Sequence, residues 1–385
     1  MADYDYGLPQ EAIAQEPTEP RDAARLLVAI DRGPAIEHRR VRDLPDLLAP
    51  GDLLVVNDTR VLPARLRLCK DTGGQAEVLL LEPLTAGRPG ARTVEGMPPD
   101  SRPTGGPGAG GPGAGGPGAG APGAGPGGAG GPGAGGGSWW EALVRPGRRL
   151  APGTVLRSPS GEPLVEVGER LAPGGTRVVR LLAEPWAFGE VPLPPYLRRG
   201  AVDAERYQTV YAARPGSVAA PTAGLHLTAE VLDRCRSRGV DVVAAELVVG
   251  LDTFRPVTVE DPSDHVMHTE AYRVPEATWE RCRATRAAGG RVVAVGTTTV
   301  RALESVAVSG QLQGRTDLYI RGDHPFAVVD VLLTNFHLPR SSLLLLVEAF
   351  VGDRWRHLYR EALGADYRFL SLGDAMLVDR AGGAR

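Results

Sequence analysis

The chain has a single lysine, three cysteines and no long apolar run. Lys70 follows no glycine-rich loop, which excludes a Walker-type phosphate site, and a lone lysine is a poor basis for Schiff-base chemistry. The odd number and wide separation of Cys69, Cys235 and Cys282 argue against a disulfide framework and suit a reducing compartment. The longest apolar block near the C-terminus, residues 343–347, is too short to span a membrane. We therefore expect a cytoplasmic protein with no membrane segment.

A strong charge of one sign is also absent. The formal net charge is −3 although Arg and Lys together number 43, so no overall basic field indicates nucleic-acid binding. Any RNA contact must therefore be local, as at Arg198-Arg199. A length of 385 residues with 42% hydrophobic side chains is sufficient for two domains and a large core.

Two patterns of secondary structure alternate along the chain. From about Arg67 to Leu182, short strands without helices are separated by turn residues, which predicts a small all-β barrel. These predicted strands are residues 75–82, 139–145, 154–157 and 176–182. On either side of them, apolar strands alternate with helices, as in a mixed α/β domain. We therefore predict an α/β domain of residues 1–66 and 186–385, interrupted by a β-barrel domain of residues 67–185.

A Pro-Gly-Ala-Gly repeat of low complexity lies inside the predicted barrel, at residues 98–138. It lacks the apolar side chains that would offset the entropy of ordering, and without a strict Gly-X-Y period it is not a collagen helix. We expect a disordered extension of a hairpin. The cost of closing a loop grows only logarithmically with its length, so the barrel can accommodate this insertion.

A helix, a glycine and a strand follow one another twice in the C-terminal half. Thr228 is the predicted cap of a helix that runs to Arg238, and residues 240–249 form a predicted strand. The pattern repeats with a predicted helix at residues 275–288 and a strand at residues 291–295. Two such units in succession favour a parallel or mixed sheet.

Three predicted strands, residues 53–56, 291–295 and 327–334, end in polar residues. The polar ends are Asn57–Arg60, Gly296–Arg301 and Asn335–Pro339. If the strands are neighbours, the ends converge on one cleft that suits a polar, partly cationic or nucleoside-like ligand. The alternative is structural, with the threonines after Gly296 capping a helix and Asn57 forming an Asx turn.

His226 and His337 are candidates for acid–base chemistry, because the histidine pKa lies nearest neutrality. Asp374 is a candidate to orient or assist one of them. A structural role is the alternative for each histidine. His265 and His268 have an H-x-x-H spacing, but no third ligand lies nearby, and we expect no metal site.

Five motifs together identify a family resemblance. They are Asn57-Asp-Thr-Arg-Val61, Ala220-Pro-Thr-Ala-Gly-Leu-His226, Val295-Gly-Thr-Thr-Thr-Val-Arg301, Leu333-Thr-Asn-Phe-His-Leu-Pro339 and Gly373-Asp-Ala-Met376. In content and order they resemble the S-adenosylmethionine:tRNA ribosyltransferase-isomerase (QueA) family. The resemblance spans nearly the whole chain outside the glycine-rich segment.

The resemblance implies a barrel-like mixed α/β domain interrupted by a small β-barrel. It also implies an enzyme that moves and isomerises the ribosyl part of S-adenosylmethionine onto 7-aminomethyl-7-deazaguanine in the tRNA anticodon loop, giving epoxyqueuosine and releasing adenine and methionine. The implied partners are tRNA and S-adenosylmethionine, the latter as ribosyl-donor substrate, with no other cofactor and no metal. We expect a monomer.

The same resemblance suggests roles for residues within the motifs. The candidate catalytic residues are His226, His337 and Asp374. The candidate substrate-binding residues are Asn57, Thr59, Arg60, Thr222, Gly224, Gly296, Thr297, Thr298, Arg301 and Asn335. Which residue is the base and which the acid stays open.

Three stretches depart from the family pattern. Val248 replaces a usual histidine and Asp252 a glycine, Arg321-Gly-Asp323 replaces Tyr-Pro-Gly, and Phe369-Leu370 replaces an aromatic pair. These changes concern the acceptor site. Two alternatives follow, a divergent S-adenosylmethionine-dependent ribosyl transferase with another acceptor and a non-catalytic RNA-binding relative. The intact strand-end motifs and slightly acidic charge disfavour the second.

Deleting residues 99–137 and joining the ends with a short Gly-Ser linker is expected to leave folding and turnover nearly intact, because this composition cannot form a core. Thermal melting and a turnover assay of the deletion variant test this. A collapse of thermal stability would show that the segment packs against the rest of the protein.

Overall fold

The computed structural model describes residues 1–30, 35–84, 138–147, 149–171, 175–198, 202–250 and 257–381. The expected disorder of residues 98–137 and the departure at Asp252 concern residues outside these ranges. The strands are β1 (Arg25–Ala29), β2 (Glu37–Arg40), β3 (Leu53–Asn57), β4 (Thr59–Val61), β5 (Arg65–Lys70), β6 (Gln75–Leu84), β7 (Trp139–Arg145), β8 (Val155–Arg157), β9 (Pro163–Leu171), β10 (Thr176–Leu181), β11 (Gly189–Glu190), β12 (Arg214–Ser217), β13 (Asp241–Leu247), β14 (Glu270–Arg273), β15 (Val292–Val295), β16 (Gln313–Thr316), β17 (Val331–Asn335) and β18 (Ala375–Asp379). The α-helices are α1 (Leu44–Leu47), α2 (Ala229–Ser237), α3 (Glu276–Ala287), α4 (Thr297–Ser309), α5 (Ser342–Val351) and α6 (Arg354–Gly364).

A nine-stranded mixed sheet forms the larger part of the molecule, in the order β16-β14-β13-β3-β15-β17-β18-β1-β2. Its central strands β13, β3, β15 and β17 are parallel. Leu53 and Val55 belong to the hydrophobic core on one face, and Leu54 and Val56 to the core on the other. A continuous apolar run is what a strand covered on both faces requires. The predicted mixed α/β fold is confirmed.

The second sheet is a closed antiparallel barrel. Its strands follow the order β5-β6-β7-β10-β9-β8, and β8 pairs with both β9 and β5, which closes the ring. The predicted inserted β-barrel is thus confirmed, while the domain boundaries at residues 67 and 185 stay a prediction. Strand β9 was not predicted, because it contains a glycine. A Cβ at Gly168 would lie 2.9 Å from the Val178 carbonyl oxygen, so close strand packing favours glycine there.

Leu84 and Trp139 are paired at the ends of β6 and β7. The residues that flank the glycine-rich segment are therefore neighbours across the ladder. A short linker can connect such ends, which is the geometry that the deletion variant requires.

The predicted strand at residues 327–334 is partly wrong, because β17 begins only at Val331. The buried carboxylate of Glu304, on α4, accepts hydrogen bonds from the backbone N–H groups of Ala327, Val328 and Val329, at 2.8, 3.0 and 3.0 Å. These donors therefore bind a side chain instead of a neighbouring strand. The apolar sequence alone does not reveal this distant acceptor.

Replacing Glu304 by alanine is expected to lower the free energy of unfolding by roughly 3 kcal/mol, because three backbone donors lose their acceptor in the interior. Urea denaturation measures the change. The exposed Glu280 gives a matched control, since Glu280→Ala should stay within about 0.5 kcal/mol of the wild type. Equal stabilities of the two variants would contradict the assigned role of Glu304.

Candidate active site

A cleft lies at the carboxyl ends of the parallel neighbours β15 and β17. Its polar lining residues are Tyr196, Thr222, Thr297, Thr298, Thr334, Asn335, His337, Ser341 and Ser371. Among the described residues, no Asp, Glu, Lys or Arg lines it. This edge is where open α/β sheets bind ligands. The predicted convergence of strand ends is confirmed for β15 and β17, whereas residues 57–60 after β3 lie outside the lining.

The Asn335 side chain, at the end of β17, joins three segments behind the cleft. Its Oδ1 accepts a hydrogen bond from Thr222 Oγ1 at 2.9 Å. Its Nδ2 donates to His226 Nε2 at 3.1 Å and to the Asp374 carbonyl oxygen at 3.2 Å. The amide is buried and both of its ends are engaged, so its orientation is fixed.

His226 supports Asn335 from behind and does not line the cleft. Its Nε2 accepts from an amide N–H, so the ring proton is on Nδ1. Burial, with the charges of Arg206, Arg368 and Arg21 as further causes, lowers the pKa of His226 to about 3. The neutral ring therefore serves as a hydrogen-bond acceptor at physiological pH.

His337 lines the cleft and lies 2.9 Å, through its Nε2, from Thr334 Oγ1. Its backbone is fixed on both sides. The N–H donates to the Tyr359 hydroxyl at 3.0 Å, and the Tyr6 hydroxyl donates to the carbonyl oxygen at 2.5 Å. Burial lowers the pKa of His337 to about 3, so this ring too is neutral.

The Asp374 carboxylate is buried and bound to backbone on both oxygens. Oδ1 accepts from the Arg25 N–H at 2.9 Å, and Oδ2 accepts from the Arg368 N–H at 2.8 Å. It does not line the cleft. It holds the start of β1 against the C-terminal turn, and its predicted catalytic role stays a prediction.

Asn57, Thr59 and Arg60 also lie outside the cleft lining. Asn57 Nδ2 donates to the Leu247 carbonyl at 3.0 Å, and its Oδ1 accepts from the Thr59 N–H at 3.2 Å. Arg60 forms a surface ion pair with Glu205 at 2.5 Å. These contacts fix the end of β3 against β13, and the binding roles of the three residues stay predictions.

Arg301 and Gly224 support the cleft from outside its lining. Arg301 is buried, ion-paired with Glu270, and donates through Nε to the Leu318 carbonyl at 3.2 Å. Burial lowers its pKa to about 10, which leaves it charged at neutral pH. Gly224 lies so close to the Tyr211 hydroxyl that any Cβ would clash. Their predicted contacts with substrate stay predictions.

Gly296, Thr297 and Thr298 line the cleft as predicted candidates for binding. Gly296 has φ 88°, a left-handed conformation that disfavours side chains, and it precedes the first turn of α4. The turn between β15 and α4 therefore presents backbone N–H groups and hydroxyls to the cleft.

Besides Ser341, which the sequence indicated only as a possible helix start, sequence reasoning missed Tyr196, Ser371 and Thr334 in the lining. The Tyr196 hydroxyl is 2.6 Å from Ser371 Oγ, and burial raises the pKa of Tyr196 to about 12. Thr334 lies within the Leu333–Pro339 motif, and Ser371 lies two residues before the Gly373–Met376 motif. Motif proximity was therefore the available signal for two of the three.

Across the described ranges, no group of three or more His, Cys, Asp or Glu side chains is arranged to hold a metal ion. His265 instead packs its ring edge-on against Tyr319. In the same part of the chain, no helix combines the length and apolar character needed to cross a membrane.

The family model for queuosine biosynthesis proteins matches residues 1–378. The chain belongs to this family. An S-adenosylmethionine:tRNA ribosyltransferase-isomerase from Thermus thermophilus is 45% identical, over 97% of this chain and 98% of its own. One from Symbiobacterium thermophilum is 44% identical, over 98% and 99%. The crystal structure of the S-adenosylmethionine tRNA ribosyltransferase from Thermotoga maritima has 34% identity and a TM-score of 0.50, covering 98% of this chain and 99% of that chain.

The departures from the family pattern differ in their relation to the cleft. Leu370 lines it, with φ 70°, and Phe369 stacks on Phe336 with ring centroids 4.7 Å apart. Val248 is not in the lining, and its N–H donates to the Ala271 carbonyl at 2.9 Å. Among the described residues that depart from the family pattern, Leu370 thus lines the cleft, whereas Arg321–Asp323 do not.

The two neutral histidines predict a pH dependence of stability. Each has a folded-state pKa below its usual value of 6.5, so on acidification the unfolded chain binds the proton first. Stability falls as the pH falls from 6.5 toward 3. Between about pH 7.5 and pH 5, each histidine should remove about 2 kcal/mol from the free energy of unfolding.

The His337→Gln variant isolates one histidine. Its free energy of unfolding should fall by about 2 kcal/mol less than that of the wild type over this range, whatever its stability at pH 7.5. Urea denaturation at both pH values gives the comparison. Parallel pH curves for the two proteins would show that His337 is not held neutral.

Proposed function

We propose that this protein transfers and isomerises the ribosyl part of S-adenosylmethionine onto 7-aminomethyl-7-deazaguanine in the anticodon loop of tRNA, giving epoxyqueuosine and releasing adenine and methionine. The observation that carries the proposal is the match along nearly the full chain to ribosyltransferase-isomerases. The cleft adds a physical reason. Among the described residues, its lining combines uncharged polar groups with apolar side chains such as Val249, Phe336 and Leu370, the mixed lining that is typical of small-molecule sites.

The reaction needs a group that exchanges protons at the ribosyl carbon. The sulfonium acidifies the C5′ proton, a base removes it, adenine leaves from C1′ with a proton, and the acceptor amine attacks before methionine departs. His337 is the best-supported group for proton transfer, because its neutral ring lines the cleft. His226, buried behind Asn335, is better suited to position that amide.

Asn335 supports this assignment as the group that fixes the geometry. It lines the cleft while its amide is held by Thr222, His226 and the Asp374 carbonyl. A fixed polar group needs no reorientation when the substrate changes charge during reaction. Asn335 is therefore proposed as a preorganised wall of the S-adenosylmethionine site.

The test is incubation with S-adenosylmethionine and tRNA that carries the aminomethyl deazaguanine, followed by detection of adenine, methionine and the modified nucleoside. The proposal expects all three products together. Bound S-adenosylmethionine without modified tRNA would favour a divergent enzyme with another acceptor. Binding of tRNA without binding of S-adenosylmethionine would favour a non-catalytic relative and overturn the proposal.

The two histidines provide a matched pair of variants. His337→Gln is expected to lower kcat by about 100-fold or more, the typical contribution of a proton-transfer group. His226→Gln should cost less, because glutamine can still accept the hydrogen bond from Asn335. Single-turnover release of adenine measures both. A larger loss for His226→Gln than for His337→Gln would contradict the assigned roles.

A further inference from the structure

The first turn of α4 has neither a side-chain cap nor an acidic residue. Its N-cap residue, Gly296, has no side chain, and residues 297–299 contain no Asp or Glu. By contrast, Thr228 caps α2 and Ser341 caps α5 through their hydroxyls. The first N–H groups of a helix have no partner within it and carry a partial positive charge. The positive end of α4 thus faces the cleft, and none of the described residues that line it is an Asp or Glu.

Thr298 supplies a second, independent observation. Thr298 lines the cleft and is only 9% exposed. Its Oγ1 is buried and has no hydrogen-bond partner. The neighbouring Thr299 differs, because its Oγ1 donates to the Val295 carbonyl at 2.7 Å. A buried hydroxyl without a partner is unfavourable in the free protein. A ligand oxygen bound at this end of α4 would supply the missing partner.

The chemistry of the lining selects the kind of ligand group. Among the described residues, no Arg or Lys lines the cleft, and the His337 ring is neutral. The end of α4 is therefore the positive feature available to an anion there. S-adenosylmethionine carries a single anionic group, the carboxylate of its methionine part. Neither adenine nor ribose requires a positive partner.

We propose that the first turn of α4 binds the methionine carboxylate of S-adenosylmethionine, with Thr298 Oγ1 and the first-turn N–H groups as donors. This inference rests on the proposed function, because it takes S-adenosylmethionine as the ligand of the cleft. This contact would orient S-adenosylmethionine in the cleft with its methionine part next to the first turn of α4. Gly296 adds no side chain at this end of α4, where its backbone has a left-handed φ of 88°.

The variant Thr298→Val tests the donor with little change of shape. The ligands are S-adenosylmethionine and decarboxylated S-adenosylmethionine, which differ only in the carboxylate, and calorimetry gives each Kd. The wild type should bind S-adenosylmethionine at least about tenfold more tightly than the decarboxylated compound, about 1.4 kcal/mol. Thr298→Val should remove most of this preference while leaving the Kd of the decarboxylated compound nearly unchanged.

Thr299→Val is the matched control, because its hydroxyl binds backbone within the turn. It should lower the melting temperature but keep the preference for the carboxylate. Thr298→Val should not lower the melting temperature of the free protein, since its hydroxyl has no partner to lose. A merely structural role of Thr298 predicts the reverse.

The outcomes separate this inference from the proposed function. Suppose that the wild type binds S-adenosylmethionine, but Thr298→Val raises the Kd of both ligands equally or changes neither Kd. The carboxylate site is then overturned and the enzyme assignment stands. If the wild type binds S-adenosylmethionine no better than its decarboxylated form, the site is also overturned. If the wild type binds neither ligand, the proposed function fails and this inference fails with it.

Discussion

The amide of Asn335 is the contact on which the arrangement of the cleft depends. It joins Thr222 and His226, which are 113 and 109 residues away in sequence, to the Asp374 carbonyl 39 residues away. Thr222 and His226 come from one short 3-10 helix (Thr222–His226), and Asp374 directly precedes Ala375, the β18 residue that pairs with Asn335. Because amide donors and acceptor are distinct, only one orientation satisfies all three partners. A single side chain thus sets the relative positions of the cleft wall, the supporting histidine and the C-terminal turn.

A second constraint follows from burial at this edge of the sheet. An ionised group without a partner would lower the stability of the fold there, and the structure avoids this in two ways. The histidines at and behind the cleft are held neutral by burial. The charged groups lie behind the cleft with partners, as Arg301 with Glu270 and Asp374 with backbone N–H groups. Among the described residues, the cleft lining therefore carries no charged side chain, which leaves its charge to the ligand and to the end of α4.

The sequence predicted what depends on local pattern. The strand ends at Gly296 and Asn335 were predicted to meet if their strands are neighbours, because apolar runs followed by polar residues are a local signal, and β15 and β17 do pair. The direction of a side chain depends on distant partners and not on the local sequence. No pattern near Asp374 or Arg301 indicates that each binds partners outside the cleft. For the same reason the start of the strand predicted at residues 327–334 was wrong, because the N–H groups there bind Glu304, which lies more than 20 residues away in sequence. Long-range contacts account for most of what sequence reasoning missed.

The position of Tyr196 in the cleft wall follows from the way the barrel is inserted. The chain enters the barrel strands after β4 and leaves them before Tyr196 and Gln208, so these two crossings between the sheets must be placed together. The Gln208 side chain fixes them, because its Oε1 accepts from the Val61 N–H and its Nε2 donates to the Val61 carbonyl, both at 3.0 Å. β4 also pairs with β12. Tyr196 lies on the returning crossing and contacts Ser371. The cleft wall and the barrel therefore share one anchor, and the inserted domain is part of how the site is built.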